Sequence, residues 1–211
     1  MSVVVAIKEK GKVFIGCDSQ VTRGGTRSTL KNPNNYKVWK VRGVDNCLMA
    51  HVGNVRDASV VRLMDSLVTE YNVFKNHIDY EFVVKSIVPD IIHELREYGY
   101  LKGDSYFEEF DSRFIFAYRD MLFLINNDGC VLEIDDCVAM GTGESEAIGS
   151  LLSTDIDDPE TRIVKAIKSS AASDIYVDYP IILTNTLDTE FEIINENNEK
   201  EYLDKKKGDK N

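Results

Sequence analysis

The sequence predicts an α+β protein, a four-layer αββα sandwich in which two antiparallel sheets are covered by helices. Three observations predict it. Two β-branched hairpins open the chain, two segments of helical periodicity follow, and the strand-then-helix order repeats before a last pair of strands. Regular βαβ alternation is absent, which excludes a doubly wound parallel sheet. With 211 residues, 43% of them hydrophobic, the chain can bury one substantial core, and it is expected to form one domain over residues 1–195.

Residues 3–7 and 12–16 are β-branched runs on either side of Glu9-Lys10-Gly11, a hairpin that begins almost at the N-terminus. The polar, glycine-containing stretch over 22–35 reads as loop. Residues 36–41 and 46–52 are strand-like again, separated by Gly43 and Asp45. From 55 to 74 apolar residues recur at helical spacing (Val60, Val61, Met64, Leu67, Val68, Tyr71), and 82–98 repeats the pattern with Val83, Ile87, Ile91 and Leu95. Residues 114–118, 121–126 and 130–134 are strands joined by turns at Arg119-Asp120 and Asn127-Asp128-Gly129. Then 144–153 and 159–172 are helical, and 179–184 and 191–195 return to strand. The remainder, residues 196–211, has only Tyr202 and Leu203 as sizeable apolar side chains and is expected to be a partly disordered tail.

Charge narrows the function. The balance of 36 acidic against 25 basic residues gives a net charge of -11, which repels phosphate backbones and anionic membranes and excludes nucleic acid as an expected partner. Cys17, Cys47, Cys130 and Cys137 have no C-x-x-C spacing and read as free thiols of a reducing cytoplasm. The first apolar run is five residues long, too short for a signal peptide's apolar region or a membrane span, so a cytoplasmic location without a membrane partner is expected. His51, His77 and His93 form no metal-binding spacing. No complete phosphate loop is present, so ATP hydrolysis is not expected of the chain itself.

Six segments, in shared order and spacing, carry a resemblance. They are S-V-V-V-A-I at 2–7, G-C-D-S-Q-V-T at 16–22, N-Y-K-V-W-K at 35–40, A-H-V-G-N-V-R-D-A at 50–58, M-G-T-G at 140–143 and A-I-K-S-S-A-A-S-D at 166–174. Through them the chain resembles the proteasome β-subunit and its bacterial relative HslV, from Ser2 to about Thr184. These are N-terminal-nucleophile hydrolases, in which one residue supplies both the attacking hydroxyl and the base. A free α-amine, with a pKa of about 7.7–8.0, can take the hydroxyl proton near neutral pH without a histidine.

The resemblance implies roles residue by residue. Ser2 becomes the nucleophile once Met1 is removed, and Asp18 stands 16 positions after it, as the family places its aspartate. Lys37 is the matching partner of that aspartate, with Lys31 and Lys40 as alternatives if the loop before it is aligned differently. Gly53 matches the glycine whose N–H binds the oxyanion, Thr142 a serine near the nucleophile's amine, and Asp174 the acid that orients it. Val21, His51 and Val55 match the pocket for the side chain preceding the cut, with His51 at its base as a group titrating near 6.5. Ser173, Tyr176 and Tyr179 match a loop whose carbonyls hold a monovalent cation such as Na+, although no cofactor is required. Serine in place of the family's usual threonine loses the methyl group that restricts χ1, and slower turnover is expected.

The implied protein is a peptidase subunit of a self-compartmentalising protease, a ring of identical subunits acting on peptides or unfolded protein delivered by a separate AAA+ unfoldase. Two other readings stand beside it: a non-catalytic, ring-forming structural subunit, and an amidase for small amides. The fold alone does not choose among them.

Overall fold

The computed structural model describes residues 2–65, 67, 78–98, 109–188 and 190–208. Val3–Glu9 (β1) and Lys12–Cys17 (β2) form the first hairpin, in register from Val4 opposite Cys17 to Glu9 opposite Lys12. Lys10 and Gly11 at its tip both have positive φ, as a two-residue turn matched to strand twist requires. β1 is buried on both faces: Val3, Val5 and Ile7 face helices, while Val4 and Ala6 face the other sheet. That is why its sequence is an unbroken apolar run and not an alternation.

The stretch expected to be loop is partly strand. Gln20–Arg23 (β3) and Thr26–Thr29 (β4) pair as a ribbon that turns at Gly24-Gly25. Every residue of β4 is exposed, so no apolar alternation marked it. Val38–Lys40 (β5) and Cys47–Gly53 (β6) are the second hairpin, and Ser112–Tyr118 (β7), Met121–Ile125 (β8) and Val131–Glu133 (β9) complete an antiparallel sheet in the order β5-β6-β7-β8-β9. Cys137–Gly141 (β10), Ile181–Asn185 (β11) and Glu192–Ile194 (β12) join the first hairpin in a sheet ordered β10-β1-β2-β11-β12.

Val55–Val61 (α1) starts on an Asn54 cap whose side chain accepts from the Arg56 N–H. The helix expected to reach residue 74 instead ends at Val61, capped by Arg62, with turn and bend over residues 62–65, and most of the remainder lies outside the described residues. The second expected helix begins with a turn at Tyr80–Phe82, widens into a π-helical turn over Val83–Ile87 and continues as Val88–Tyr98 (α2). Glu144–Ser153 (α3) and Pro159–Ser173 (α4) follow the second set of strands.

Three apolar layers hold these elements together. One packs α1 and α2 on β6 and β7 through Ala58, Ile91, Phe114 and Phe116; the middle one joins the two sheets through Val4, Ile15, Ala50, Ile115 and Ile182; the third packs α3 and α4 on β1 through Val5, Leu151, Ile163 and Ile167. The molecule is the four-layer αββα sandwich. No helix among the described residues is long and apolar enough to cross a membrane.

The C-terminal stretch departs from expectation. Glu196–Gly208 is a helix (α5), entered through mutual bonds between Asn195 and Asn198. Glu199 on it is buried and accepts from the Tyr179 hydroxyl and from Lys168 Nζ at 2.7 Å, while Tyr202 and Leu203 lie against the third core layer. Its composition is polar because it docks through hydrogen bonds and ion pairs, and that composition resembles disorder when seen without partners.

Candidate active site

Two strand ends and a turn converge on Ser2. β10 pairs with β1 so that Val3 lies opposite Gly141, which carries the Gly141-Thr142-Gly143 turn to the N-terminal residue. Thr142 then clasps it: the Thr142 N–H donates to the Ser2 carbonyl at 2.8 Å, and Thr142 Oγ1 accepts from Ser2 N at 3.3 Å. Gly141 has φ +114°, and a Cβ there would lie 2.0 Å from the Ser2 carbonyl oxygen. Only glycine permits that approach.

Beneath Ser2 is a buried ion pair. Lys37 Nζ donates to Asp18 Oδ1 at 2.7 Å and to the Gln20 carbonyl at 2.6 Å, with both side chains nearly or fully excluded from solvent. Asp18 also accepts from the N–H groups of Val3 at 2.9 Å and Gln20 at 3.0 Å. Burial raises the Asp18 carboxyl, while Lys37 and these two N–H groups oppose the rise. Three donors thus converge on the carboxylate, an arrangement that favours its ionised form against the cost of burial. Lys31 and Lys40 are both exposed, which leaves Lys37 as the lysine the fold pairs with Asp18. The neighbouring thiol of Cys17 is pushed up to about 12, chiefly by burial, and stays protonated.

Gly53 ends β6 with φ +120°, where a Cβ would meet the Asp111 carbonyl oxygen at 2.2 Å. The His51 N–H donates to the Lys37 carbonyl at 2.9 Å. By alternation along the strand the Gly53 N–H points to that same side, beyond the end of the β5 pairing. A cavity of about 240 Å³ opens there, bordered by Ser2, Lys37, Gly53, Val21, His51 and Val55 among others.

His51 is buried between the Trp39 and Phe114 rings, with centroids 6.0 and 6.4 Å away. Burial first, then Lys37 and Arg62, hold its pKa down to about 3, so it is neutral in the range where the sequence led us to expect titration. Asp174 also differs from expectation. Its N–H caps α4 on the Ser170 carbonyl, its Oδ1 accepts from the Tyr176 N–H at 2.8 Å, and its Oδ2 is buried without a hydrogen-bond partner, so it makes no bond to Thr142. The tie from α4 to the turn is Ser170, whose hydroxyl donates to the Gly143 carbonyl at 2.7 Å. Of the residues expected to border a cation, Ser173 donates its hydroxyl to the Ser170 carbonyl, Tyr176 donates its N–H to Asp174, and Tyr179 donates its hydroxyl to Glu199. Among the described residues no group of His, Cys, Asp and Glu is arranged to hold a metal ion.

The proteasome subunit family model matches residues 2–180. The chain belongs to the proteasome subunit family. No curated protein matches this family member in sequence. Solved structures share its fold at low identity. BPH from Thiobacillus denitrificans, in complex with epoxomicin, is 16% identical with a TM-score of 0.64, covering 87% of this chain and 97% of that one. HslV from Trypanosoma brucei is 19% identical with a TM-score of 0.63, covering 87% and 98%. The Gly-1 mutant of Anbu from Hyphomicrobium sp. strain MC1 is 15% identical with a TM-score of 0.68, covering 98% and 91%.

Within this proteasome-family subunit, sequence reasoning missed Gly141, Ser170 and Arg62. Gly141 was in plain view inside M-G-T-G, but its constraint depends on β10 pairing with β1, a strand that the sequence reading left unassigned. Arg62 follows Val55, Ala58 and Ser59 on one helical face, and that spacing was the available signal.

Proposed function

We propose that the chain is the peptidase subunit of a self-compartmentalising protease, with Ser2 as its N-terminal nucleophile after removal of Met1. The observation that carries this is convergence at Ser2 of the buried Asp18–Lys37 pair, the Thr142 clasp and the open cavity. A surface serine with none of these would carry no such reading. In the proposed reaction the Ser2 α-amine takes the proton of its own hydroxyl, directly or through one water, and Oγ attacks the substrate carbonyl. Lys37 favours the neutral amine and the ionised hydroxyl by its charge, and the Gly53 N–H donates to the developing oxyanion. The protonated amine then gives its proton to the leaving nitrogen. Water, activated by the same amine, releases the acyl group from Oγ and restores Ser2. A homo-oligomeric ring would enclose such sites, and an AAA+ unfoldase would deliver unfolded chains to them.

The test is to treat the protein with a peptidyl epoxyketone and locate the adduct by mass spectrometry. Attachment at Ser2 of a chain lacking Met1 is expected, with peptide hydrolysis abolished in Ser2→Ala. Undiminished hydrolysis by purified Ser2→Ala protein would overturn the mechanism.

A further inference from the structure

The cavity beside Ser2 has an uneven lining. Its walls are Val21, Leu30, Val55 and Ala58, and its charged groups are both cations, Lys37 and Arg62. Among the described residues no carboxylate lines it, in a chain whose net charge is -11. Lys37 is paired with Asp18, and among the described residues no carboxylate pairs with Arg62. An adjoining cavity of about 800 Å³, which shares Asn35, Ser59 and Arg62 with the first, is bordered by Glu190.

The guanidinium is nonetheless held in place. Its carbon sits 4.7 Å from the centre of the Trp39 ring, and one terminal nitrogen donates to the Tyr36 carbonyl. Its Nε is buried and has no hydrogen-bond partner. A fixed, partly desolvated cation at the border of an apolar cavity is a site for an anion, since the terminal nitrogens of a guanidinium donate to a carboxylate. Leaving those donors unsatisfied costs more the drier the site is.

We propose that this cavity takes an acidic side chain, Glu or Asp, at the residue preceding the scissile bond, with Arg62 as the residue that selects it. The inference rests on the reading of Ser2 as nucleophile, because Ser2 at the cavity rim is what makes the cavity the seat of that side chain. His51, being neutral and enclosed between Trp39 and Phe114, supplies the floor and not the charge. A carboxylate seated there would draw on the cation directly, while an amide of the same shape would keep the packing and lose the charge.

The experiment compares fluorogenic peptides that differ only at that residue (Glu, Gln, Leu, Lys) on wild type, Arg62→Gln, Arg62→Lys and Ser2→Ala. Wild type is expected to favour Glu over Gln by at least about tenfold in kcat/KM. Arg62→Gln should bring that ratio close to one, and Arg62→Lys should retain part of it. A purely structural role for Arg62 would lower all four peptides alike and leave the ratio unchanged, and that outcome, or a wild-type preference for Leu, overturns the proposal. Equal hydrolysis by Ser2→Ala would instead remove the nucleophile. If turnover is too slow to rank the peptides, Ser2→Ala protein is titrated with labelled peptides ending in Glu or in Gln and binding is read by fluorescence anisotropy. Tighter binding of the Glu peptide that is lost on adding Arg62→Gln supports the assignment, and equal affinities refute it.

Discussion

At the scale of single residues, the Asp18–Lys37 pair decides most. Two charges buried this deeply gain little net stability, since desolvation offsets their attraction, yet removing one partner strands the other. Lys37→Ala is therefore expected to destabilise the fold by about 3–5 kcal/mol, because Asp18 is left charged and dry or must be protonated. Asp18→Asn combined with Lys37→Met removes both charges and should cost at least about 1 kcal/mol less than Lys37→Ala alone, although both proteins should be inactive. Urea denaturation of the two variants checks this. A double variant no more stable than Lys37→Ala would mean that packing, not charge, holds the site. Asp18 and Lys37 were reached from the sequence through the resemblance, which placed Asp18 16 positions after Ser2 and left Lys31 and Lys40 as alternatives to Lys37. The neutrality of His51 was not legible there, since it depends on Trp39, Phe114 and Arg62, which come from three separate elements.

Among elements, the pairing of β10 with β1 has the sharpest consequence. β1 was legible as a strand because its apolar run is unbroken, whereas β10 is five residues long and ends in a glycine turn that reads locally as a helix cap. Its place was invisible until Gly141 met the backbone of Ser2. Gly141→Ala combines a backbone conformation that L-residues rarely adopt with a Cβ 2.0 Å from a carbonyl oxygen. A loss of about 2–4 kcal/mol is expected, together with loss of Ser2 reactivity, because β10 must withdraw and take Thr142 with it. Gly149 is the control: it lies inside α3, and an added Cβ would meet nothing within 4 Å. Gly149→Ala should stabilise by about 0.5–1 kcal/mol through helix propensity alone and leave Ser2 labelling unchanged. Thermal melting of both variants, with epoxyketone labelling of each, reads the contrast directly.

Over the whole molecule, the layered order of strands and helices carried the fold class, because each layer's periodicity is set by what it buries. The C-terminal helix escaped because it buries little and bonds much. Glu199 reaches Tyr179 and Lys168, Lys206 pairs with Glu160, and Tyr202 and Leu203 cover the outer face of the third core layer. These contacts tie α5 to α4 and to the turn before β11, and among the described residues α5 contributes none to the lining of the cavity at Ser2. Truncation after Asn195 is therefore expected to expose that outer face and to leave the Lys168 and Tyr179 groups without their shared carboxylate. About 2–4 kcal/mol of stability should be lost from the apolar area and the hydrogen bonds together. None of the groups that converge on Ser2 belongs to α5, so the folded fraction of the truncated protein should still label at Ser2 with the same second-order rate. Denaturant unfolding followed by labelling kinetics below the transition separates the two quantities. A truncated protein as stable as the full chain would show that α5 merely rests on the surface. A folded but unreactive one would mean that the helix reaches the site through α4 and Ser170, which hold the Gly143 carbonyl and with it the turn that carries Thr142.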